Sequence, residues 1–550
     1  MKALPIGIST LKMILDNNMV YVDKTGDIKP LVEKPGRYFL SRPRRFGKSL
    51  LVDTFKELFE GNEPLFRGLA IHDSWDWSQK LPVIKIDFAS GSLTSRAALE
   101  ERLVNLLKEN AARLGVDLDW STDLVGLFEN LISGASQANR SLVVVLVDEY
   151  DKPLLDNIEN PTGAMEMREG LRNFYSVLKR MDGLLQFVFL TGVSKFSKVN
   201  IFSGINNLVD LTLDESSATL CGYTQADLET SFAEHLAGVD REQLKLWYNG
   251  YSFLGEPVYN PFDILLFIQK KHTFRNYWFE TGTPTFLVKL MRKNRYFLPD
   301  LSELEVGEEI LSSFDIENIQ PTTLLFQTGY LAIKKVETAM GRQVYTLGFP
   351  NQEVKIAFSD FLIGSYAEII HDRLRYQRSV YDALLSGDLV ALEASLHRLF
   401  AGIPWRNFTN NDMAEYEGYY ASVLYAFFSA ITCTVTAEDI NNHGQADLTV
   451  RLGDKVYVME IKAVQEAGPA TVAVAVPTPQ GASTTVNGSG GLPDSQAGSQ
   501  QTSNSALAQI RARGYAEKYL GQTGVRVYEL GLVFSMARRN LVQFAGAERS

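Results

Sequence analysis

Gly47-Lys48-Ser49 closes a basic loop, Arg42-Pro43-Arg44-Arg45-Phe46-Gly47-Lys48-Ser49. Before it, Tyr38 to Leu40 favour a strand; after it, Leu50, Leu51, Phe55, Leu58 and Phe59 recur at helical spacing. Strand, tight loop and helix in that order describe a phosphate-binding loop of the Walker A kind. Backbone N–H groups at a helix N-terminus cradle phosphate oxygens, the lysine reaches the outer phosphates and the serine hydroxyl holds Mg²⁺. The expected nucleotide contacts are Arg44, Arg45, Phe46, Gly47, Lys48, Ser49 and Leu50, with Ser49 on the metal. One position departs from the pattern G-x-x-x-x-G-K-[ST]: Arg42 stands where glycine is usual.

Two apolar runs extend that chemistry. Leu142 to Val147 is continuously apolar, as in strands buried on both faces of a parallel sheet, and it ends in Asp148-Glu149-Tyr150-Asp151. An acidic pair at the end of a central strand suits Asp148 to Mg²⁺ and Glu149 to orienting or deprotonating an attacking water. Leu184 to Leu190 finishes at Thr191-Gly192, where Thr191 is placed to sense a γ-phosphate. Any one run alone is equally a buried strand entering a solvated loop. Three in this order point to ATP with Mg²⁺.

A second constellation lies near the C-terminus. Asp447 to Lys462 reads as two alternating strands around Gly453-Asp454, a glycine-first pair suited to a two-residue type II′ turn. If Leu452 faces Lys455, counting outward sets Asp447 opposite Glu460, with Cβ atoms roughly 4.5–5.5 Å apart. Lys462, two residues on, points to the same face. Two carboxylates side by side repel unless a cation sits between them, and an oxygen-only ligand set favours Mg²⁺ or Mn²⁺. Such a metal would activate water, and Lys462 would orient that water or neutralise charge. Asp447 and Glu460 are thus expected as metal ligands, and with Lys462 as catalytic residues. An Asp…Glu-x-Lys string also describes an ordinary solvated strand, so its setting matters. Glu417 precedes it in a helix-like stretch, and Gln509 and Tyr515 follow.

Four stretches together resemble a known family: Tyr21-Val22-Asp23-Lys24-Thr25, the basic loop, Asp148 to Pro153, and Thr191-Gly192-Val193-Ser194-Lys195-Phe196. They are similar to the bacterial AAA-ATPase-like proteins, which typically carry a PD-(D/E)XK nuclease domain at the C-terminus. The resemblance runs from near the N-terminus to about Val542, broken by one low-complexity insertion. It implies that Arg42 is a family trait. It also implies a nuclease core in which Glu417, Asp447, Glu460, Lys462, Gln509 and Tyr515 take part, although Ala446 replaces the proline of the motif's name. The expected activity is ATP binding and hydrolysis coupled to Mg²⁺-dependent cleavage of DNA. The competing expectations are an ATP-driven signalling switch whose C-terminal domain only grips a partner, and a DNA-binding ATPase with a structural C-terminal domain.

The elements that must position these residues follow from pattern. The expected fold is α/β: a P-loop core with a parallel sheet over residues 1–215, a helical and winged-helix-like lid with connector over 216–400, and an α/β restriction-endonuclease-like domain over 401–550. Thr224 to Asp227 is a capping-box start, and Leu324 to Leu347 reads as helix, strand, returning strand. Without an arginine-rich recognition helix, packing suits that module better than DNA binding. From 466 to 505 the Gly, Ser, Thr, Ala, Pro and Gln content cannot bury a core and predicts a flexible insertion. Val525 to Phe534 reads as a further strand pair. Asp23 and Lys24 fit either a nucleotide-side segment or a solvated turn; Lys195, Lys198 and the loop from Phe202 to Leu208 are candidates for a catalytic rim.

Bulk properties set outer bounds. Two cysteines in 550 residues provide neither a disulfide framework nor a zinc site. No signal peptide or membrane-length apolar run is read, so a cytoplasmic protein without a membrane partner is expected. A net charge of −11 disfavours a broad nucleic-acid-coating surface but not local phosphate contacts. Homo-oligomerisation is left open.

Overall fold

The computed structural model describes residues 1–195, 208–281, 285–312, 319–369, 372–404, 417–465 and 504–549. Lys198, most of the Phe202 to Leu208 loop, and residues 466–503 of the low-complexity stretch lie outside these. The chain divides into two compact units, Met1–Tyr296 with Asp300–Phe358, and Phe297–Pro299 with Ser359–Ser550.

The first unit is built on a five-stranded parallel sheet of β1 (Gly36–Ser41), β2 (Val83–Asp87), β3 (Val143–Asp148), β4 (Leu185–Gly192) and β5 (Val209–Asp210), in the order β2-β3-β4-β1-β5. All six residues of β3 are buried, as its unbroken apolar run requires of a strand covered on both faces. Helices Arg96–Leu114, Leu124–Asn139 and Pro161–Arg180 supply the crossovers. The side chains of Ser95, Asp123 and Asn160 cap their first turns. The helix Lys48–Phe59 lies on the sheet through Phe55 and Phe59, whose rings meet Phe187 of β4 at 5.2 and 5.0 Å. Because β4 sits between β1 and β3, its C-terminal end separates the basic loop from the acidic pair. All three converge at the edge where parallel sheets bind ligands.

Beyond the sheet, the Thr224–Asp227 capping box forms as expected and opens a helix. Leu228, Phe232, Leu244, Tyr248, Tyr259 and Phe267 then build a second apolar cluster. The helix Pro321–Gln327 is followed by a hairpin of β7 (Ala332–Ala339) and β8 (Arg342–Gly348), with β6 (Leu304–Gly307) added to β8.

The second unit carries a mixed sheet of β9 (Thr434–Asn441), β10 (Gly444–Leu452), β11 (Lys455–Val464), β12 (Arg526–Ser535) and β13 (Asn540–Arg549), in the order β13-β12-β11-β10-β9. β10 and β11 pair with Leu452 against Lys455, and Gly453 takes φ +59°. One expectation changes here. Residues 526–535 form one strand, not a pair; the partner is β13. Within this strand Gly531 is a point of close approach, since a Cβ there would lie 2.3 Å from the backbone N of Leu507. The helix Ser505–Arg513 begins at the end of the expected insertion, with Asn504 accepting from Leu507 N as its cap. No helix among the described residues is long and apolar enough to cross a membrane.

Candidate active sites

The basic loop turns through two left-handed residues, Arg45 at φ +65° and Gly47 at φ +91°. Arg42 is not among the left-handed residues, so glycine is not required there on backbone grounds. Its guanidinium is wholly buried and donates to the carbonyls of Ser41 at 2.8 Å, Thr212 at 2.9 Å and Ser217 at 3.0 Å. The same group lies 3.9 Å from the centroid of Phe253. Burial lowers its pKa to about 10, and it stays charged at neutral pH. Lys48 Nζ donates to the carbonyls of Arg42 and Pro43, each at 2.9 Å. Burial lowers the Lys48 pKa, against the pull of Asp148, Asp151 and Glu149.

Arg44, Arg45, Phe46, Gly47, Lys48, Ser49 and Leu50 all line one cavity of about 420 Å³. Glu149 lines it too, from a left-handed backbone at φ +53°. Its other walls are largely apolar and include Ile8, Tyr21, Val22, Tyr223, Phe262 and Leu265. One charged end and one apolar end suit a nucleotide's phosphates and base. Asp148 is buried beneath, its Oδ1 accepting from Glu149 N at 3.0 Å, and burial raises its pKa. Its Oδ2 is buried without a donor. A carboxylate oxygen left so is costly unless a cation takes it, so Ser49 and Asp148 fit a Mg²⁺ carried with ATP.

Thr191 is placed elsewhere than expected. Its hydroxyl is buried and donates to Leu40 O on β1 at 2.8 Å, so it fastens two strands instead of lining the cavity. Asp151, quoted in the sequence only as part of the acidic run, is an organising residue. Its Oδ2 accepts from Val193 N at 3.0 Å and from Ser194 N and Oγ at 2.6 Å, holding the chain that leaves β4. Asp23 is a turn residue: it accepts from Thr25 N and Oγ1 and from Ala70 N. Lys24 pairs with Asp227 at 2.7 Å and lines the cavity. Lys195 pairs with Asp210 at 2.5 Å.

In the second unit the hairpin ladder runs from Leu452↔Lys455 to Leu448↔Met459 and stops one residue short of Asp447. On the other side Ala446↔Asp439 and Leu448↔Ala437 bracket Asp447, and Glu438 of β9 is left-handed at φ +45°. The strands part there, and Asp447 Oδ2 accepts from Ile461 N at 2.6 Å. Burial raises the Asp447 carboxyl to about 6. Burial, then the charge of Asp447, raises Glu460 to about 7. Glu460 Oε1 lies 2.9 Å from Lys462 Nζ, while its Oε2 is buried without a donor. Lys462 is also 4.0 Å from Glu417, whose Oε2 accepts from Ala463 N at 3.3 Å. Burial would lower Lys462, but Glu460, Glu417 and Asp447 together raise it, so it stays an ammonium.

Glu417, Asp447, Glu460 and Lys462 therefore form one electrostatic cluster. Among the described residues no three His, Cys, Asp or Glu side chains form a ready metal cage. Asp447 and Glu460, with water and a substrate phosphate, fit a hard cation that keeps part of its hydration. Gln509 and Tyr515 bond to each other at 3.3 Å, not to that cluster, and Tyr515 packs with Ala446.

The two sites define a class: an AAA-ATPase-like P-loop unit in one chain with a PD-(D/E)XK-like sheet. The family model described as "Predicted AAA-ATPase" matches residues 5–202, and that of the PD-(D/E)XK nuclease superfamily matches residues 415–480. The chain is 44% identical over 544 residues to the uncharacterized protein in the vnfD 5′ region of Azotobacter chroococcum mcd 1, covering 99% of this chain and 98% of that one. The chain belongs to that family of AAA-ATPase-like proteins with a PD-(D/E)XK nuclease-superfamily domain.

Proposed function

We propose that the chain binds and hydrolyses ATP and couples this to metal-dependent hydrolysis of DNA phosphodiester bonds. The observation that carries the nuclease half is the pair of half-buried Asp447 and buried Glu460, with Glu460 Oε2 lacking any donor and Lys462 alongside. Asp447 and Glu460 would hold Mg²⁺ or Mn²⁺, which supplies an acidified water and neutralises charge on the phosphate. Lys462, kept charged by its carboxylate neighbours, orients the water or offsets charge as the phosphorus gains its fifth oxygen. Glu417 holds Lys462 and the backbone of Ala463 in place. In the first unit Lys48 would meet the outer phosphates, and Ser49 and Asp148 would hold Mg²⁺. Glu149 is the base for water; burial and Asp148 raise its pKa, which favours accepting a proton.

The test mixes the purified chain with linear and circular DNA in Mg²⁺ or Mn²⁺, with and without ATP, beside Asp447→Ala. Cleavage by the wild type that disappears in the variant is the expected result. ATP dependence of that cleavage measures coupling. No cleavage under any condition overturns the nuclease half and leaves a nucleotide-driven switch.

A further inference from the structure

The carbonyl of Arg44, in the middle of the basic loop, is held from outside the sheet. Asn260 Nδ2 donates to it at 3.3 Å and Trp278 Nε1 at 3.2 Å. Both side chains are buried. Asn260 has two tasks, because its Oδ1 also accepts from Phe262 N at 2.9 Å and so caps the helix Pro261–Gln269. The same first turn presents the Phe262 ring to the Arg45 guanidinium at 5.0 Å. Pro261, Phe262 and Leu265 also wall the cavity. Trp278 is itself fixed, its N–H donating to the buried Glu353 at 2.8 Å.

A trans peptide is planar, with C=O and N–H pointing in opposite directions. Pinning the Arg44 carbonyl toward Asn260 and Trp278 therefore aims the Arg45 N–H away from them. The left-handed Arg45 and Gly47 that follow give the loop the alternation that makes backbone N–H groups converge on an anion. We infer that Asn260 and Trp278 are positioning residues for the phosphate-binding loop: they set the direction of the Arg45 N–H before a nucleotide's phosphates arrive. The inference rests on the ATP-binding reading given above. It also makes the segment after the sheet a determinant of ATP affinity through a backbone atom, with no contact to the ligand required.

Two substitutions separate positioning from folding. Asn260→Ser keeps a neutral N-cap acceptor but is too short to reach the Arg44 carbonyl. Trp278→Phe keeps the aromatic packing and removes only the donor. ATP·Mg²⁺ affinity is measured by calorimetry on the full chain, beside unfolding midpoints without nucleotide and a Lys48→Ala control. The expected result is wild-type binding that Lys48→Ala abolishes. Asn260→Ser and Trp278→Phe should each weaken it about tenfold, as for loss of one charge-assisted hydrogen bond. Their ligand-free midpoints should stay within about 2 °C of wild type. Wild-type affinity in Asn260→Ser overturns the inference while leaving the ATP reading intact, and so does a loss of affinity matched by a fallen midpoint in both variants. A wild type that binds no ATP overturns the reading itself, and with it the inference.

Discussion

Arg42 offers a sharp test, because the Walker A pattern suggests that Arg42→Gly repairs the loop and the structure says the reverse. Glycine would leave the carbonyls of Ser41, Thr212 and Ser217 without their shared donor, in a place water does not reach. Hydrogen bonds from a charged donor contribute about 1.5–3 kcal/mol each. Three of them overstate the net, since burying the guanidinium has its own desolvation cost, visible in its lowered pKa. Leaving a buried acceptor unsatisfied costs about 1–3 kcal/mol, so roughly 3–5 kcal/mol is expected for the three carbonyls together. It is a large share of a domain's stability of about 5–15 kcal/mol. Arg42→Lys should recover only part, because one ammonium cannot span three carbonyls in the guanidinium's fork geometry. Urea unfolding followed by far-UV circular dichroism, with ATP titrated separately, reads both effects. Since Lys48 bonds to the Arg42 carbonyl, affinity should fall with stability. An Arg42→Gly chain within about 1 kcal/mol of wild type and binding ATP more tightly would refute the reasoning.

Glu460→Gln should abolish DNA cleavage without lowering the unfolding midpoint at pH 8, because it removes a carboxylate that burial and Asp447 disfavour. Mn²⁺ should raise the wild-type midpoint and not that of the variant; a variant that Mn²⁺ stabilises equally rules out the ligand assignment. The buried pair Asp263 and Glu353 predicts a pH effect. Burial raises both carboxyls, Glu353 to about 7, so the native chain keeps protons that the unfolded chain has released. Stability should therefore fall as pH rises from the ordinary carboxylate range through about 7, and Glu353→Gln should flatten that slope. Equal urea midpoint shifts between pH 5 and 8 in both chains would contradict this. Lys48→Ala should remove ATP binding and leave any ATP-independent cleavage unchanged, as measured on the same DNA substrates.

Much of the fold was legible because its signals are local. The apolar runs at 142–147 and 184–190 are long enough to announce strands, which the structure places at 143–148 and 185–192. The two-residue turn at Gly453-Asp454 fixes register by counting, and Leu452 does meet Lys455. The parting of strands at Asp447 had no such signal, nor did the left-handed backbone of Glu438 on the neighbouring β9, which residues other than glycine rarely adopt. The reading of 525–534 as a strand pair failed because its true partner lies beyond it, at 540–549, while Gly531 admits the start of a helix against one continuous strand. Asn260 caps the helix that opens at Pro261, accepting from Phe262 N. What Asn260 does with its other polar atom depends on residue 44, and no spacing rule links the two. The role of Asp151 was hidden likewise, because its three donors lie some forty residues away, at 193 and 194.

The two units reach a common electrostatic design by different folds. In each, a carboxylate at or near the end of a buried strand keeps one oxygen without a donor, Asp148 Oδ2 in the parallel sheet and Glu460 Oε2 in the mixed one. In each, a lysine is near: Lys48 acts electrostatically on Asp148, and Lys462 bonds to the other oxygen of Glu460. Buried carboxylates of this kind are normally matched by donors, as Asp151 is by three, so an unmatched oxygen is a standing cost to the fold. A proton or a metal cation relieves it without changing the residue. The raised pKa values at Asp148, Asp447 and Glu460 express the same cost as a preference for the proton. A divalent metal competes for the sites that proton would occupy, so metal binding at either site should release protons. The release should grow as pH falls from 8 toward 6 at the Asp447 and Glu460 site, where the two carboxyls titrate. Calorimetry of Mn²⁺ binding in buffers of different ionisation enthalpy measures it, and a release that stays at zero across that range would separate the raised pKa values from metal binding.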